Sequence, residues 1–186
     1  MATPYASKQE LEAYADRTLD GTRADLALEL ASAAVDDAAA IIGATIDKQT
    51  GDTVTLDGDG TATLLLPWPV IDVTKVVEID DDGTEEELTG PGNDDIDYRW
   101  TRLGELLRVG STCWPARARS VEVTLDHGLD PVPATIKAVV LEVAETMLTN
   151  PSQLDSLNTD DTSASFNAGG ITLSRSQERR VLRAIR

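Results

Sequence analysis

The sequence contains little of the material from which catalytic and metal sites are built. Among its 186 residues there is one cysteine, Cys113, and one histidine, His127. A single cysteine excludes an internal disulfide, and together the two residues cannot supply the four ligands of a structural zinc site. No basic residue adjoins Cys113 to activate it, so we expect a half-buried, unreactive thiol at a strand edge.

A nucleophile system would depend on His127, because no other histidine is present. Asp126 precedes it directly, but adjacent residues on a strand point to opposite faces, so this carboxylate is a poor orienting partner. The glycines do not occur in the spacing of a phosphate-binding or dinucleotide-binding loop. We therefore expect no catalytic residue, no cofactor and no enzymatic activity, with His127 as a structural residue at a strand end.

Two Asp-Gly clusters invite a calcium hypothesis that their spacing does not support. Asp57 and Asp59 begin an EF-hand-like alternation, but Ala62 stands where glycine is needed and Trp68 where the twelfth-position glutamate belongs. The run from Asp80 to Gly83 does not alternate at all. Asp-Gly pairs are typical of turns, so the sequence predicts turns here and no metal site.

Long apolar runs and a basic balance are also absent. No stretch approaches the roughly 20 apolar residues that a membrane-spanning helix requires. The residues after Met1 do not form a signal peptide, so we expect a soluble protein made in a cytoplasm. The formal net charge is −17, which repels nucleic-acid phosphates and argues against tight DNA binding by a single copy.

The charge is uneven along the chain. Five arginines fall between residues 175 and 186, against Glu178 as the only acidic residue there, whereas residues 80–97 are strongly acidic. Ser174 with Gln177 has the spacing of a helix capping box, and Val181, Leu182 and Ile185 give this basic helix a small apolar face. A basic helix on an acidic body predicts docking onto an acidic surface elsewhere.

Apolar periodicity divides the remainder of the chain into helical and β-rich stretches. Ser7 and Glu10 form a capping-box pattern before a first helix, and a second helix starts at Thr22. A third helix follows Pro133. The apolar stripes of the second and third helices are at the following positions: Leu28, Ala31, Val35, Ala38 and Ile42; Ile136, Val139, Val140, Val143, Ala144 and Met147.

The middle of the chain carries the signals of an antiparallel sheet. Residues 53–56 and 61–66 flank an Asp-Gly-Asp-Gly turn and predict a hairpin, and residues 84–97 predict a mobile acidic loop around a weak strand. Val121, Val123 and Leu125 alternate with polar residues, which predicts a half-buried strand. All three tryptophans lie in this region and are expected to fill its core.

These segments predict an α+β fold, in which a small helical bundle carries an inserted antiparallel β-rich segment. The expected divisions are residues 1–50 as an N-terminal helix pair, 51–130 as the β-rich insertion, 131–150 as the third bundle helix, and 151–186 as a flexible arm that ends in a short basic helix. Residues 152–170 are rich in Ser, Asn, Asp, Thr and Gly and lack the apolar content for a core.

The order of these segments resembles the head-tail connector (adaptor, or head completion) proteins of tailed double-stranded DNA phages. The resemblance begins with the N-terminal helix pair and runs through nearly the whole chain. The residues that carry it are Leu64 to Val70, Val73, Val76, Asp97 to Trp100, Gly104 to Arg108, Trp114, Pro115, Val121 to Thr124, His127 to Asp130, Pro133, Ile136, Lys137, Leu173, Ser174, Glu178, Arg179 and Leu182.

The resemblance implies a structural virion protein of the neck, between capsid and tail. It implies a homo-oligomeric ring of twelve copies beneath the portal protein, with a further tail or neck protein below. DNA would pass through the lumen during ejection without specific binding, and no membrane is involved. The C-terminal arm would dock on the portal through Arg175, Arg179, Arg180, Leu182, Arg183, Ile185 and Arg186.

Two alternatives stay open at this point. The first is another neck or tail-completion protein, such as a tail terminator, which its position in the virion would distinguish from a connector. A carbohydrate-binding module for host attachment would use Trp68, Trp100 and Trp114 as exposed platforms for sugar rings.

Overall fold

The chain forms two compact units, each with its own secondary structure. The computed structural model describes residues 4–110, 112–149, 166–167, 170–171 and 173–185. One unit, the helical unit, comprises Met1–Ile42 and Asp130–Arg186, and the other, the β unit, comprises Gly43–Leu129. The predicted α+β class is confirmed. None of the described helices is long and apolar enough to cross a membrane.

The helical unit begins with a capped short helix and a long one. Helix α1, Lys8–Ala15, starts with the predicted capping box, in which Ser7 and Glu10 satisfy each other's backbone amides. Helix α2, Gly21–Ala40, begins one residue before the predicted start because the Asp20 side chain accepts from the backbone N–H of Arg23. Its alanine-rich inner face is buried, which permits close approach of neighbouring helices.

Helices α3, Ala134–Thr149, and α4, Arg175–Ile185, complete this unit. The predicted apolar stripe of α3 is buried at Ile136, Val139, Val140, Val143 and Ala144, in a four-helix arrangement in which α3 contacts each of the other helices. Two polar contacts also join α1 and the residues just after it to α3. Lys137 Nζ lies 2.7 Å from Glu10 Oε1, and Arg17 NH2 lies 3.0 Å from Glu145 Oε1.

The contact between Glu10 and Lys137 gives the helical unit a specific pH dependence. The hydrogen bond from Lys137, followed by those from Ser7, lowers the pKa of Glu10 to about 2. A depressed pKa stabilises the folded state at neutral pH, and this contribution is lost as the pH falls from about 5 towards 2. Because the Glu10 side chain is 41% exposed, solvent screening limits the effect to roughly 1 kcal/mol. We expect NMR titration to find the low pKa in the wild type, and a Lys137→Met variant to return it towards 4; a wild-type value near 4 would contradict this.

The predicted flexible arm lies mostly outside the described residues. Within it the structure describes β8, Phe166–Asn167, paired antiparallel with β9, Gly170–Ile171.

The β unit contains two antiparallel sheets. The larger has the strand order β1, β7, β3, β4, formed by Gln49–Leu56, Val121–His127, Val70–Ile79 and Glu85–Glu87. The smaller has the order β2, β6, β5, formed by Thr63–Leu65, Glu105–Arg108 and Tyr98–Trp100. Strand β7 lies inside the larger sheet and alternates between buried and half-buried residues along its whole length, as its sequence predicts.

The predicted hairpin across residues 57–60 is wrong. Strand β1 pairs with β7, and β2 pairs with β6 in the other sheet, so this turn carries the chain from one sheet to the next. The turn contacts residues 115–120 instead of closing a ladder. Gly58 N–H donates to Arg117 O at 2.8 Å, and Asp57 Oδ1 accepts from Arg119 N–H at 2.7 Å. A Cβ at position 58 would overlap the carbonyl oxygen of Pro115, so only glycine permits this approach.

The core of the β unit is formed by side chains from both sheets. Trp114 is its largest member, 1% exposed, with its indole N–H directed at Leu106 O at 3.3 Å and the Arg108 guanidinium 5.2 Å from its ring centroid. Arg108 in turn pairs with Glu78 at 3.0 Å, and burial raises the pKa of Glu78. The other buried members are Leu64, Leu66, Val70, Val73, Val76, Leu88, Tyr98, Leu106, Val121, Val123 and Leu125.

Candidate docking surfaces

Helix α4 begins with the predicted capping box. Ser174 N–H donates to Gln177 Oε1 at 2.9 Å, and Gln177 N–H donates to Ser174 Oγ at 3.3 Å. Both residues are buried, so the start of the helix is fixed to the helical unit and not left at a free end. The reciprocal bonds satisfy two of the amides that a helix N-terminus leaves without partners.

One side of α4 packs into the helical unit. Gln177, Val181 and Ile185 follow at intervals of four residues and are buried. On α3, Glu142 accepts from Gln177 Nε2 at 3.1 Å and from Arg180 NH1 at 2.6 Å. Helix α4 is therefore held by apolar burial and by one carboxylate that binds two of its side chains.

The opposite side of α4 is a basic surface. Arg175, Arg179 and Arg183 are exposed at intervals of four residues, with the half-buried Leu182 among them. At 1.5 Å per residue the three arginines span about 12 Å along one face. No hydrogen bond or ion pair to another described residue engages their guanidinium groups. We call these four residues the α4 basic face.

The structure divides the seven residues predicted to dock on a portal. Arg175, Arg179, Leu182 and Arg183 form the α4 basic face. Arg180 is bound to Glu142, and Ile185 is 4% exposed inside the helical unit, so both already have intramolecular partners. Arg186 lies outside the described residues. The sequence could not separate these groups, because the partner of Arg180 is 38 residues away in the chain.

The acidic segment 80–97 has a defined local structure in the β unit. Asp80 and Asp81 lie 3.2 and 2.9 Å from Arg117, and Asp82 caps the turn by accepting from Thr84 N–H at 2.9 Å. Strand β4 forms the weak strand expected there and pairs with β3, and its three glutamates are exposed. Two bonds of 2.8 Å between Thr89 and Asp97 close the following loop. The segment therefore presents an acidic surface with a defined conformation, and its predicted mobility stays a prediction.

His127 and Cys113 do not form a nucleophile system in the described part of the chain. His127 lies at the end of β7, 4% exposed, with Nε2 3.1 Å from Asp52 Oδ2, while its Nδ1 is buried and contacts no hydrogen-bonding group that the structure describes. Asp126 points to the other face, as predicted, and accepts from Gly51 N–H. Cys113 is exposed in the connection from β6 to β7, so the expected half-buried position is wrong.

The other candidate ligands have structural roles. Asp57 and Asp59 accept backbone hydrogen bonds from Arg119 and Thr61, as expected for turn residues. Within the described residues, no cluster of three or more His, Cys, Asp or Glu side chains is placed to hold a metal ion. Trp114 is buried and the other two tryptophans are half-buried, so the three tryptophans do not form the exposed platform for sugar rings that this alternative requires.

Sequence reasoning missed two exposed apolar surfaces. Leu26 and Leu30 on α2 are 55% and 42% exposed, and Leu65 and Leu103 in the β unit are 74% and 65% exposed. A signal for the first was available, since Leu26 and Leu30 are four residues apart but fall outside the buried stripe that contains Leu28. The second was hidden in the run Leu64-Leu65-Leu66, where only the strand alternation decides which leucine is exposed.

Comparisons with known proteins find similarity in structure only. No protein-family profile matches the sequence, and no curated protein matches it. Among solved structures, a chain in the virion of a native gene transfer agent particle superimposes with a TM-score of 0.60 at 16% identity, covering 100% of this chain and 92% of that one. A chain from the neck of an empty gene transfer agent particle, computed with C6 symmetry, gives 0.59 at 16%, covering 88% and 85%. A third, from the neck of the native particle computed with C12 symmetry, gives 0.56 at 17%, covering 99% and 91%. At these identities the comparisons establish that this chain shares its fold with proteins of gene transfer agent particles.

Proposed function

We propose that this protein is a structural subunit of the neck of a tailed phage or phage-like particle, located between capsid and tail. The observation that carries the proposal is the similarity of fold, over 88–100% of the chain, to proteins from particle necks and virions. The side chains agree with a non-enzymatic role, because His127 is engaged by Asp52 and the aspartates of the turns are engaged by backbone amides.

Within the neck, we assign the chain to the connector ring of twelve copies that stacks beneath the portal. The C6 and C12 symmetry of the neighbouring neck structures supports a ring whose copy number is a multiple of six. A net charge of −17 per copy supports a lumen that DNA traverses without being held, since affinity for DNA depends on Lys and Arg replacing condensed counterions.

We further propose that the α4 basic face docks on the portal. Its three arginines project from a folded helix, so little conformational entropy is lost in ordering the backbone when a partner binds. Arginine is suited to this role because its planar guanidinium binds carboxylates through two parallel hydrogen bonds. Deleting residues 152–186 would not test the idea cleanly, because Val181 and Ile185 belong to the core of the helical unit.

Charge reversal is the appropriate test of portal docking. We expect Arg175→Glu, Arg179→Glu and Arg183→Glu together to weaken binding to the portal at least about 10-fold, because like charges then meet across the interface. The thermal unfolding midpoint should hardly change, since exposed substitutions of this kind usually alter stability by less than about 0.5 kcal/mol. The single variant Arg179→Glu has a matched control in Arg119→Glu, which reverses the charge of an exposed arginine in the β unit. Unchanged portal binding by the triple variant would exclude the α4 basic face as the docking surface.

The proposed function itself is tested by the abundance and position of the chain in purified particles. Quantitative mass spectrometry should find about one copy per portal subunit, and electron cryomicroscopy should place the ring next to the portal. A ring in contact with the tail tube but not the portal would instead identify a tail-completion protein. Hundreds of copies, or none, would refute a neck ring.

A further inference from the structure

An apolar stripe runs along the exposed side of α2. Leu26, Leu30 and Ala33 are all exposed and follow at intervals of four and three residues, so they share one face of the helix. Acidic side chains border this stripe. Asp25 and Glu29 lie along one side of it, and Asp37 lies one helical turn beyond Ala33. Arg23 lies at its N-terminal end. We call the three apolar residues the α2 stripe.

A second apolar surface lies on the outer face of the smaller sheet in the β unit. Leu65 is opposite Glu105 in the pairing of β2 with β6, and the bond from Leu66 N–H to Gly104 O at 2.7 Å brings Leu103 beside the same strand end. Leu65 and Leu103 are the most exposed large apolar side chains of the β unit. We call these two residues the β patch.

The charges around the β patch are opposite in sign to those around the α2 stripe. Arg102 directly precedes Leu103, and Arg99 is exposed on β5, the strand that pairs with β6. The acidic residue at this surface is Glu105, which lies opposite Leu65. In the described residues, neither Arg99 nor Arg102 has a side-chain ion pair. One surface is therefore apolar with a predominantly acidic border, and the other is apolar with a predominantly basic border.

These two surfaces have the properties of the two halves of a head-to-tail contact. A ring of identical copies requires two different surfaces on each subunit that are complementary to each other. Removing apolar leucine surface from water lowers the free energy by about 25 cal/mol per Å² buried. This favours pairing of the two apolar surfaces. With a net charge of −17, copies repel one another, so a contact is favoured where exposed arginines meet exposed carboxylates.

We propose that the α2 stripe of one copy packs against the β patch of the next copy, with Arg99 and Arg102 facing Asp25, Glu29 and Asp37. The partner is thus a second copy of this chain, and the apolar residues form the centre of the contact with the charges at its rim. This contact rests on the proposed function, which supplies the ring.

Disulfide trapping between two single-cysteine variants tests the contact directly. Exposed Cys113 is first replaced by serine, and Leu30→Cys and Leu103→Cys are then introduced into separate full-length chains that differ in mass by a tag. On oxidation of an equimolar mixture, the mixed dimer should form at least about 10-fold faster than either like dimer. A mixture of Leu30→Cys with Asn93→Cys, an exposed loop position outside the β patch, is the matched control. A mixed dimer that forms no faster than this control would overturn the proposal.

The charged rim gives an independent readout in the same assay. Glu29→Arg in the Leu30→Cys chain, or Arg102→Glu in the Leu103→Cys chain, should each slow formation of the mixed dimer several-fold. Both changes together should restore it, because the charges are then exchanged across the contact. Equal slowing by both changes without restoration would show that these two residues do not face each other and would overturn the proposed alignment.

Failure of this contact is distinguishable from failure of the proposed function. A chain present at about one copy per portal subunit in the particle, whose mixed dimer forms at the control rate, keeps its neck assignment and loses the proposed contact. Rapid mixed-dimer formation by a chain that is absent from particles would leave the contact in place and refute the neck assignment.

Discussion

Trp114→Ala is expected to lower the free energy of unfolding of the β unit by about 3–5 kcal/mol, the largest effect of any single truncation in this unit. The side chain is 1% exposed and is surrounded by residues from both sheets. Its removal leaves a cavity, deprives Leu106 O of the indole N–H, and takes away the ring beside the Arg108 guanidinium. The measurement is hydrogen exchange of the β7 amides, which reports opening of the larger sheet separately from the helical unit.

Two variants separate the causes of this loss. Trp114→Phe retains most of the apolar volume but not the indole donor, so it should cost clearly less than the alanine variant. Trp100→Ala removes a tryptophan that is only half-buried at the margin of the same core and should also cost less. Equal losses for Trp114→Ala and Trp100→Ala would show that Trp114 does not fill the centre of the core.

Gly128→Ala is expected to destabilise the β unit by about 2–5 kcal/mol, although it adds a single methyl group. Gly128 has φ +103°, which residues with a side chain rarely adopt. A Cβ would overlap the carbonyl oxygen of Asp47 and lie 2.9 Å from Lys48 Cα, both backbone atoms that cannot rotate away. The close approach is maintained by backbone bonds from Gly128 to Pro69 and from Leu129 to Ile46.

Gly83→Ala is the matched control for this prediction. Gly83 also has a positive φ, +82°, but an added Cβ would meet no atom within 4 Å. Its substitution should therefore cost only the backbone strain, roughly 1–2 kcal/mol. The midpoints of urea unfolding should rank wild type, Gly83→Ala and Gly128→Ala in descending order. Equal losses in the two variants would mean that the packing around Gly128 relaxes freely.

The elements that the sequence predicted well are those defined by neighbours in the chain. The capping boxes at Ser7 and Ser174 need only a residue three positions ahead, and both are present. The alternation of β7 and the stripe of α3 repeat every two residues or every three to four residues, so one stretch of sequence is enough to reveal them. The α+β class follows from these elements together.

Strand partners were not predictable in the same way. Residues 53–56 have the same alternation whether they pair with the next strand or with β7, about 70 residues further along. The local turn signal at residues 57–60 favoured the nearest partner, whereas in the structure that turn contacts residues 115–120. Long-range pairing depends on the combined packing of several strands, which no local pattern contains.

The candidate surfaces show the same difference between features set by local sequence and features set by long-range contacts. The sequence by itself determined that a basic amphipathic helix ends an acidic chain, because charge and helical periodicity can be counted along the residues. Only the tertiary structure decided that Arg180 is bound by Glu142 and that Ile185 is buried, while Arg175, Arg179 and Arg183 face solvent, since Glu142 and the core lie far away in the chain. It also decided that Leu30 and Leu103 are exposed, because the exposure of an apolar residue depends on which other elements cover it.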